Sequence, residues 1–179
     1  IGFGAFGLAS FVLGLYNTGL LTNVPQVAVG VAFGYGAIGQ FIAAIIEIVH
    51  KNPFSAASFT TFASFFVAFG IMFVPSSGFM EAAIAAGQLE YCLGLIEIAY
   101  AISALVFFLG TFRQPIIVRS ILGLAFLCYF LSAIGSFTGS VGVTKAAGWF
   151  SFILALNAWY ALMASIYNET NTFIRVPFF

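Results

Sequence analysis

The amino-acid sequence predicts an all-α integral membrane protein, and its composition, its long apolar runs and its charge distribution support that prediction. Of the 179 residues, 63% are hydrophobic and 6% are charged. A soluble domain carries about 25% charged residues, so this chain could not cover a water-facing surface. Five Lys and Arg residues balance five acidic ones, which leaves no basic patch for nucleic acid. We therefore expect a lipid bilayer as partner, no nucleic-acid partner and no soluble enzyme.

Apolar runs follow one another along the chain and are continuous, which favours helices over the alternating strands of a β-barrel. A bilayer core needs about 20 apolar residues for each helix that crosses it. We predict a single six-helix transmembrane domain over residues 1–179, with spans at approximately 1–16, 24–49, 54–74, 89–112, 115–137 and 147–167. The first span is short and does not begin with Met, which fits residues missing before Ile1. A short interfacial helical turn is expected at 80–86.

The positive charges test this count of spans. With six spans and a cytoplasmic N-terminus, Lys51, Arg113, Arg119 and Arg175 lie on the inside, and Lys145 alone lies on the outside. This asymmetry agrees with the positive-inside rule, whereas a count of five or seven spans would not give the same asymmetry. The sequence therefore predicts a multi-pass protein with both termini in the cytoplasm, by default in the plasma (inner) membrane.

Small residues recur within the spans at helical spacing. Gly30 and Gly34 form one small-xxx-small pair, and Gly135 and Gly139 form a second. Glycines at this spacing let helix backbones approach closely, and such packing holds membrane helices together. The pairs are compatible with contacts inside one protomer and also with an interface between protomers.

Polar side chains inside the spans are few, and they are the candidates for function because polar groups in a membrane usually face a bundle interior or an aqueous path. The candidates for a polar solute path are Asn17, Gln40, Thr60, Thr61 and Asn157. Amide and hydroxyl groups of this kind could replace part of the hydration shell of an anion. The alternative for the two threonines is a hydrogen bond back to their own helix.

Two carboxyl groups are candidates for a proton-linked role. Glu97 lies well inside the fourth span, and Glu47 lies seven residues after Gln40 on the same helix face. A structural carboxyl is the alternative for Glu97. For Glu47 the alternative is a side chain that reaches the interface or pairs with Lys51.

Signals of enzyme chemistry are absent from the sequence. There is one histidine, His50, and no aspartate, so neither a histidine-rich metal site nor an aspartate pair can form. Cys92 and Cys128 lie inside apolar runs and are expected to be small buried residues. No Gly-x-Ser-x-Gly element occurs. We expect a protein that is not an enzyme, with no metal site and no cofactor.

An ordered set of motifs runs along the chain. The central ones are Phe-Gly-Tyr-Gly-Ala-Ile-Gly-Gln at 33–40 and Lys-Asn-Pro-Phe-Ser-Ala-Ala-Ser-Phe-Thr-Thr-Phe-Ala-Ser-Phe-Phe at 51–66. Others are Leu-Gly-Thr at 109–111, Leu-Ser-Ala-Ile-Gly at 131–135, Ala-Gly-Trp at 147–149 and Asn-Glu-Thr-Asn-Thr-Phe at 168–173. This set resembles the acetate uptake transporter family, also known as the succinate–acetate permease family, of bacteria, archaea and fungi. Ile1-Gly2-Phe3 is similar to the end of that family's N-terminal signature.

The resemblance implies a six-helix protomer in a homohexameric ring, each protomer with its own narrow pore for acetate, succinate or other short carboxylates. It also implies an apolar constriction, carried over by position to Phe6, Phe62 and Ala125, with Leu124 adjacent to Ala125. Two of these constriction positions depart from the family pattern, as do Lys51 and Pro53, which replace a glycine and a threonine before the third span. Phe62 replaces a tyrosine and Ala125 replaces a leucine, which widens the expected constriction.

Two mechanisms remain open for such a solute, because an isolated charge in an apolar pore is costly. Polar donors along the path could carry the anion, or the acid could cross in its protonated form. Two other functions also remain open. The first is a channel for urea or amides with similar six-helix architecture, and the second is a non-transporting structural subunit of a membrane complex.

Overall fold

The computed structural model describes residues 1–22 and 24–179, and the regular structure of that part of the chain is helical. We number the helices in chain order. Helix α1 spans Gly2–Thr18, α2 Pro25–Val49, α3 Pro53–Phe73, α4 Phe79–Ala85, α5 Leu89–Leu109, α6 Ile116–Thr138 and α7 Val141–Ile166. All except α4 are long. Helix α4 lies in the connection for which the sequence predicts a short helical turn.

Length and hydropathy show which helices could cross a membrane. Helices α2, α3, α5, α6 and α7 are each long and apolar enough to do so. Helix α1 has 17 residues and is shorter than those five. The described chain is thus an all-helical membrane protein with several helices of spanning length.

Helix α7 begins earlier than the sequence pattern indicates. Residues 141–146, expected to precede the last span, already belong to the helix. Gly139 adopts a left-handed conformation with φ 64°, so α6 ends abruptly and α7 starts two residues later. Only a residue that tolerates positive φ permits so short a turn, and glycine does so without steric cost.

The six long helices form a closed ring in the order α1, α2, α3, α5, α6, α7. Helix α1 packs against α7 and α2, α6 packs between α5 and α7, and α3 packs against α2. The backbones of α3 and α5 approach less closely, and aromatic side chains fill the space between α3 and the opposite helices. We call the end that holds Ile1, Lys51 and Phe179 the proximal end, and the end that holds Gly19 and Lys145 the distal end.

Glycine brings two helices of this ring into backbone contact. A Cβ atom on Gly14 of α1 would meet the backbone oxygen of Gly148 at 2.9 Å, and one on Gly148 would meet the oxygen of Gly14 at 2.8 Å. By contrast, a Cβ atom on Gly30 or Gly34 would meet nothing within 4 Å. The Gly30/Gly34 pair therefore makes no close helix contact within the protomer, whereas Gly14 and Gly148 do.

Helix α2 changes its winding in its first half. It begins with a 3₁₀ turn at Pro25–Ala28, becomes π-helical over Ala32–Gly39 and is α-helical over Gln40–Val49. Gly34 has a non-helical ψ of −106°, which marks a kink. π-helical segments are rare and often lie at functional sites.

After α7 the chain folds back across the proximal end. The hydroxyl of Tyr160 donates to the backbone oxygen of Pro177 at 2.9 Å, and the Ile117 N–H donates to the oxygen of Phe179 at 3.2 Å. The ring of Phe178 lies 6.3 Å from that of Phe3 in α1. We call residues 173–179 the C-terminal strap, because they connect the ends of α7, α6 and α1.

Candidate functional site

Two cavities lie inside the helix ring, one at each end. The proximal cavity measures about 510 Å³ and the distal cavity about 430 Å³. The polar residues around the proximal cavity are Gln40, Glu47, Asn52, Ser55, Ser58, Gln114 and Ser165. Those around the distal cavity include Ser10, Tyr16, Asn17, Glu90, Glu97, Cys128, Tyr129, Ser132, Ser136, Thr144, Lys145 and Ser151. Both walls are otherwise mainly apolar.

A layer of aromatic rings separates the two cavities. We call Phe6, Phe62, Phe65, Phe66 and Tyr129 the aromatic barrier; each is at most 8% exposed. The rings of Phe6 and Phe62 stack with centroids 5.0 Å apart, and Phe62 stacks on Tyr129 at 6.2 Å with planes 8° apart. Phe65 meets Tyr129 edge-on at 4.7 Å. Phe6 and Phe62 border the proximal cavity, and the other three border the distal cavity.

The barrier follows from helical spacing on α3. Phe62, Phe65 and Phe66 are three and four residues apart, so they project from one face of the helix. That face meets Phe6 on α1 and Tyr129 on α6 across the bundle. Stacked and edge-on rings at these distances attract one another beyond their apolar burial. The middle of the bundle is therefore closed by side chains rather than by backbone.

Ala125 and Leu124, the other two predicted constriction residues, lie on α6 one turn before Tyr129. Ala125 is fully buried within the core, and Leu124 is half-buried and packs against the same core. Neither borders a cavity, whereas Leu122 borders the proximal one and Cys128 the distal one. Ala125 and Leu124 thus lie near the aromatic barrier along α6. The α6 side chain that contacts the other barrier rings is Tyr129.

Gln40 borders the proximal cavity and is buried. Its amide nitrogen donates to the backbone oxygen of Gly36 at 3.1 Å, which fixes the orientation of the amide group. Its Oε1 has no hydrogen-bond partner among the described residues. Glu47, at the cavity mouth, accepts a hydrogen bond from Asn52 at 2.7 Å. Within the described ranges, Glu47 makes no ion pair with Lys51.

The distal cavity wall holds a carboxyl group that bridges two helices. Glu97 of α5 accepts hydrogen bonds from Ser132 and Ser136 of α6 at 2.7 and 2.8 Å. The two serines are four residues apart, which places both hydroxyls on one face opposite the glutamate. Asn17 borders the same cavity at the end of α1. In this wall, therefore, two serine hydroxyls bind one carboxyl group.

Three predicted path residues lie away from both cavities. Thr60 and Thr61 donate to the oxygens of Ala56 and Ala57 in their own helix, at 2.8 and 2.9 Å. Asn157 links α7 to α6, since its oxygen accepts from Ser120 at 3.1 Å. The hydrogen-bonding capacity of these side chains is directed to helix backbones and to a helix–helix contact.

Sequence reasoning missed the aromatic and hydroxyl groups that flank Phe6 and Phe62. Phe65 and Phe66 were recognisable from their spacing with Phe62 on α3. Ser10 lies one turn after Phe6 on α1, and it borders the distal cavity. Tyr129 follows Ala125 by one turn, but its inward direction depends on how α6 is rotated, which no local pattern specifies.

Comparison with known proteins places the chain in a family. The chain matches the GPR1/FUN34/yaaH family over residues 1–179. It is 33% identical to Ammonia transport outward protein 2 of Saccharomyces cerevisiae, over 99% of this chain and 64% of that protein. It is 28% identical to Acetate permease A of Emericella nidulans, over 99% of this chain and 63% of that protein. The chain thus spans less than two thirds of the length of these two fungal relatives.

A bacterial relative and a solved structure extend the comparison. The chain is 27% identical to the Succinate-acetate/proton symporter SatP of Escherichia coli, over 94% of this chain and 87% of that protein. Its fold is similar to the structure of the bacterial acetate channel SatP, with a TM-score of 0.84, 26% identity, and coverage of 98% of this chain and 93% of that one. With a family match over its full length, the chain belongs to the GPR1/FUN34/yaaH family.

Proposed function

We propose that this chain forms a membrane path for acetate and other short carboxylates such as succinate, with one path in each protomer. The observation that carries the proposal is the pair of cavities at opposite ends of one helix ring, separated by the buried aromatic barrier. A solute that enters either cavity meets this layer and no backbone obstruction. A shift of a few aromatic side chains would then connect the two cavities.

The names of the relatives support a carboxylate as the solute. Two are named for acetate or for succinate and acetate, and the similar structure is that of an acetate channel. The relative with 33% identity is named for ammonia transport. The hydroxyl-lined distal cavity suits a carboxyl group, because hydroxyls donate strong hydrogen bonds to carboxylate oxygens. That chemistry favours the carboxylate proposal.

Within this proposal Phe6 and Phe62 form the narrowest part of the path. Their rings are 3% and 2% exposed and stack at 5.0 Å, so they leave no room for a solute in this conformation. Ala125 and Leu124 back this layer from α6. Because apolar rings offer no hydrogen bonds to a charged solute, the layer selects by size and by the cost of desolvation.

The polar groups of the path divide between the two ends. Gln40 belongs to the proximal half and Asn17 to the distal half, since they border the respective cavities. Thr60, Thr61 and Asn157 serve helix structure in this proposal. Glu97, at the distal cavity, is the stronger candidate for a proton-linked group because its carboxyl lies within the bundle, whereas Glu47 is at the proximal mouth.

The assembly in the membrane is part of the same proposal. We place all six long helices across the bilayer as one domain, with the proximal end cytoplasmic. Lys51, Arg113, Arg119 and Arg175 lie at that end, and Lys145 lies at the other. A homohexameric ring in the plasma (inner) membrane completes the proposal. The open surface around Gly30 and Gly34 is suited to close contact with a neighbouring protomer.

Uptake of labelled acetate into proteoliposomes tests the function. We expect saturable acetate flux, and labelled urea serves as the parallel neutral solute. An imposed pH gradient separates conduction of the anion from movement of the protonated acid. Urea flux without acetate flux would contradict the carboxylate proposal and favour a channel for neutral solutes. No flux of either solute, from protein shown to be folded, would favour a structural subunit.

Substitution Phe62→Ala tests the constriction. Removal of the ring opens the layer between the cavities, so we expect at least tenfold faster permeation of solutes larger than acetate, such as succinate. Phe112→Ala is the matched control, because Phe112 is 58% exposed in the turn after α5 and borders neither cavity. An unchanged solute range in Phe62→Ala would remove Phe62 from the constriction.

A further inference from the structure

We propose that the distal cavity contains a carboxyl-binding subsite, formed by Tyr129 Oη and Ser10 Oγ, directly on the distal side of the aromatic barrier. The ligand class is a short monocarboxylate, with its carboxyl group on the two hydroxyls and its apolar end against the barrier rings. The subsite rests on the proposed function, and it explains where a solute is held before the barrier opens.

Tyr129 supplies the first hydroxyl. Its ring is 6% exposed and stacks on Phe62, so the side chain is held in place by the barrier. The unpaired side-chain atoms that are fully enclosed, within the described part of the chain, are Gln40 Oε1 and Arg119 Nε. Tyr129 Oη has no partner among the described residues and is not enclosed in this way, so its free side faces the distal cavity.

Ser10 supplies the second hydroxyl by the same reasoning. The residue is 4% exposed, borders the distal cavity and lies one turn beyond Phe6 on the same face of α1. Its backbone oxygen accepts a hydrogen bond from Ser151 at 2.9 Å, which joins α1 to α7 at this level. Its own hydroxyl has no partner within residues 1–22 and 24–179. Two largely buried residues, each with an unpaired hydroxyl, therefore border one cavity next to the barrier.

The surrounding chemistry favours a carboxyl group over other ligands. A hydroxyl that faces a cavity and has no protein partner is available to hydrogen-bond a ligand or water in that cavity. In the same cavity wall, two serine hydroxyls already bind the carboxyl of Glu97 at 2.7 and 2.8 Å. Ser10 and Tyr129 offer the same kind of donors to a free carboxyl group. Either hydroxyl can also accept a hydrogen bond, so a protonated acid fits as well.

The apolar half of the subsite excludes strongly polar ligands. Leu13, Phe66 and Leu154 border the cavity beside the two hydroxyls and are each at most 8% exposed. A methyl or short alkyl group can lie against these side chains, whereas a second charge at that end would be desolvated without a partner. Monocarboxylates should therefore be held here more tightly than dicarboxylates.

The two hydroxyls can be removed singly with little change in shape. Tyr129→Phe keeps the stacked ring and removes only Oη, and Ser10→Ala removes only Oγ. In labelled-acetate uptake into proteoliposomes, we expect each change to raise the half-saturating acetate concentration about tenfold, the usual effect of one hydrogen bond to a charged group. The maximal rate should change less, because the barrier rings remain. Competition by succinate should weaken less than competition by acetate.

Matched controls separate this effect from general damage. Tyr91→Phe changes an exposed tyrosine of α5, and Ser103→Ala changes a serine that bonds to its own helix. The subsite is overturned if Tyr129→Phe and Ser10→Ala both stay within twofold of these controls while the wild type transports acetate. A wild type without saturable acetate flux overturns the proposed function and the subsite together. If one variant fails to fold, the other still decides.

Discussion

The proximal and distal cavities are similar in volume but differ in their polar groups and in the charges nearby. The proximal end carries Lys51, Arg113, Arg119 and Arg175 against the carboxyls of Glu47 and Glu169. The distal end carries Lys145 against the carboxyls of Glu81, Glu90 and Glu97. The proximal wall has amide groups and is covered in part by the C-terminal strap, whereas the distal wall has many hydroxyls. One helix ring thus presents two different environments to a solute.

The two cavities also differ in which side-chain polar atoms lack a hydrogen-bond partner. Around the distal cavity, hydroxyls of Ser10 and Tyr129 are free next to the barrier. Among the described residues around the proximal cavity, Gln40 has an unpaired Oε1, but this atom is enclosed. If the proposed subsite is correct, a solute is held on the distal side of the barrier before it reaches the proximal side.

The largest effect is expected at the wall of the distal half. Gly148→Ala places a Cβ atom 2.7 Å from the Thr18 backbone nitrogen and 2.8 Å from the Gly14 oxygen, neither of which can move without shifting α1. We expect thermal unfolding in detergent to show that the free energy of unfolding falls by about 3 kcal/mol, as it does when other protein cores are overpacked. Gly142→Ala on the same helix meets nothing within 4 Å and serves as control. Equal stability of the two variants would contradict a backbone contact between α1 and α7.

The next effect concerns the carboxyl groups of the two ends. If Glu97 is proton-linked, Glu97→Gln should reduce the response of acetate uptake to an imposed pH gradient about tenfold, because the amide cannot take up a proton. Glu47→Gln should leave that response within twofold of the wild type, since Glu47 lies at the proximal mouth and bonds to Asn52. The measurement is initial uptake with and without the gradient. A wild-type response in Glu97→Gln would assign Glu97 to the α5–α6 contact alone.

A smaller effect is expected at the C-terminal strap. Phe178 borders the proximal cavity and contacts Phe3, so Phe178→Ala should widen the proximal mouth and raise acetate flux about threefold. Phe173→Ala removes the same side chain from the same segment, but Phe173 is fully exposed. Stopped-flow measurement of acetate flux compares the two. Equal rates would show that the strap leaves the mouth open.

The smallest effect on stability is expected from the helix caps. The Asn52 side chain accepts from the Ser55 N–H at 3.2 Å and caps α3 at the proximal end, whereas Ser140 precedes α7 at the distal end without a side-chain cap. Asn52→Ala should lower the free energy of unfolding by about 1 kcal/mol, and Ser140→Ala should change it little. Thermal unfolding in detergent measures both. A larger loss in Ser140→Ala would contradict this assignment of the caps.

Local patterns predicted much of the fold and part of the candidate site. The ends of α3 and α6 lie within two residues of the predicted span limits, because proline and glycine mark both ends of these apolar runs. Phe6 and Phe62, carried over from a family resemblance, meet in the barrier. Tyr129 and Ser10 could not be found in this way, since a contact between α6, α3 and α1 depends on the rotation and tilt of each helix.

Composition and apolar runs are enough to predict a membrane protein and to locate its helical segments. With 6% charged residues and continuous apolar runs, the chain has too little polar surface to be stable in water. Which polar groups are free follows instead from the way the helices pack. Thr60 and Thr61 bond to their own helix, Glu97 finds two serines on α6, and Tyr129 turns inward with an unpaired hydroxyl. The reason is that hydrogen-bond satisfaction is set by neighbours distant in sequence, which only the packed helices bring together.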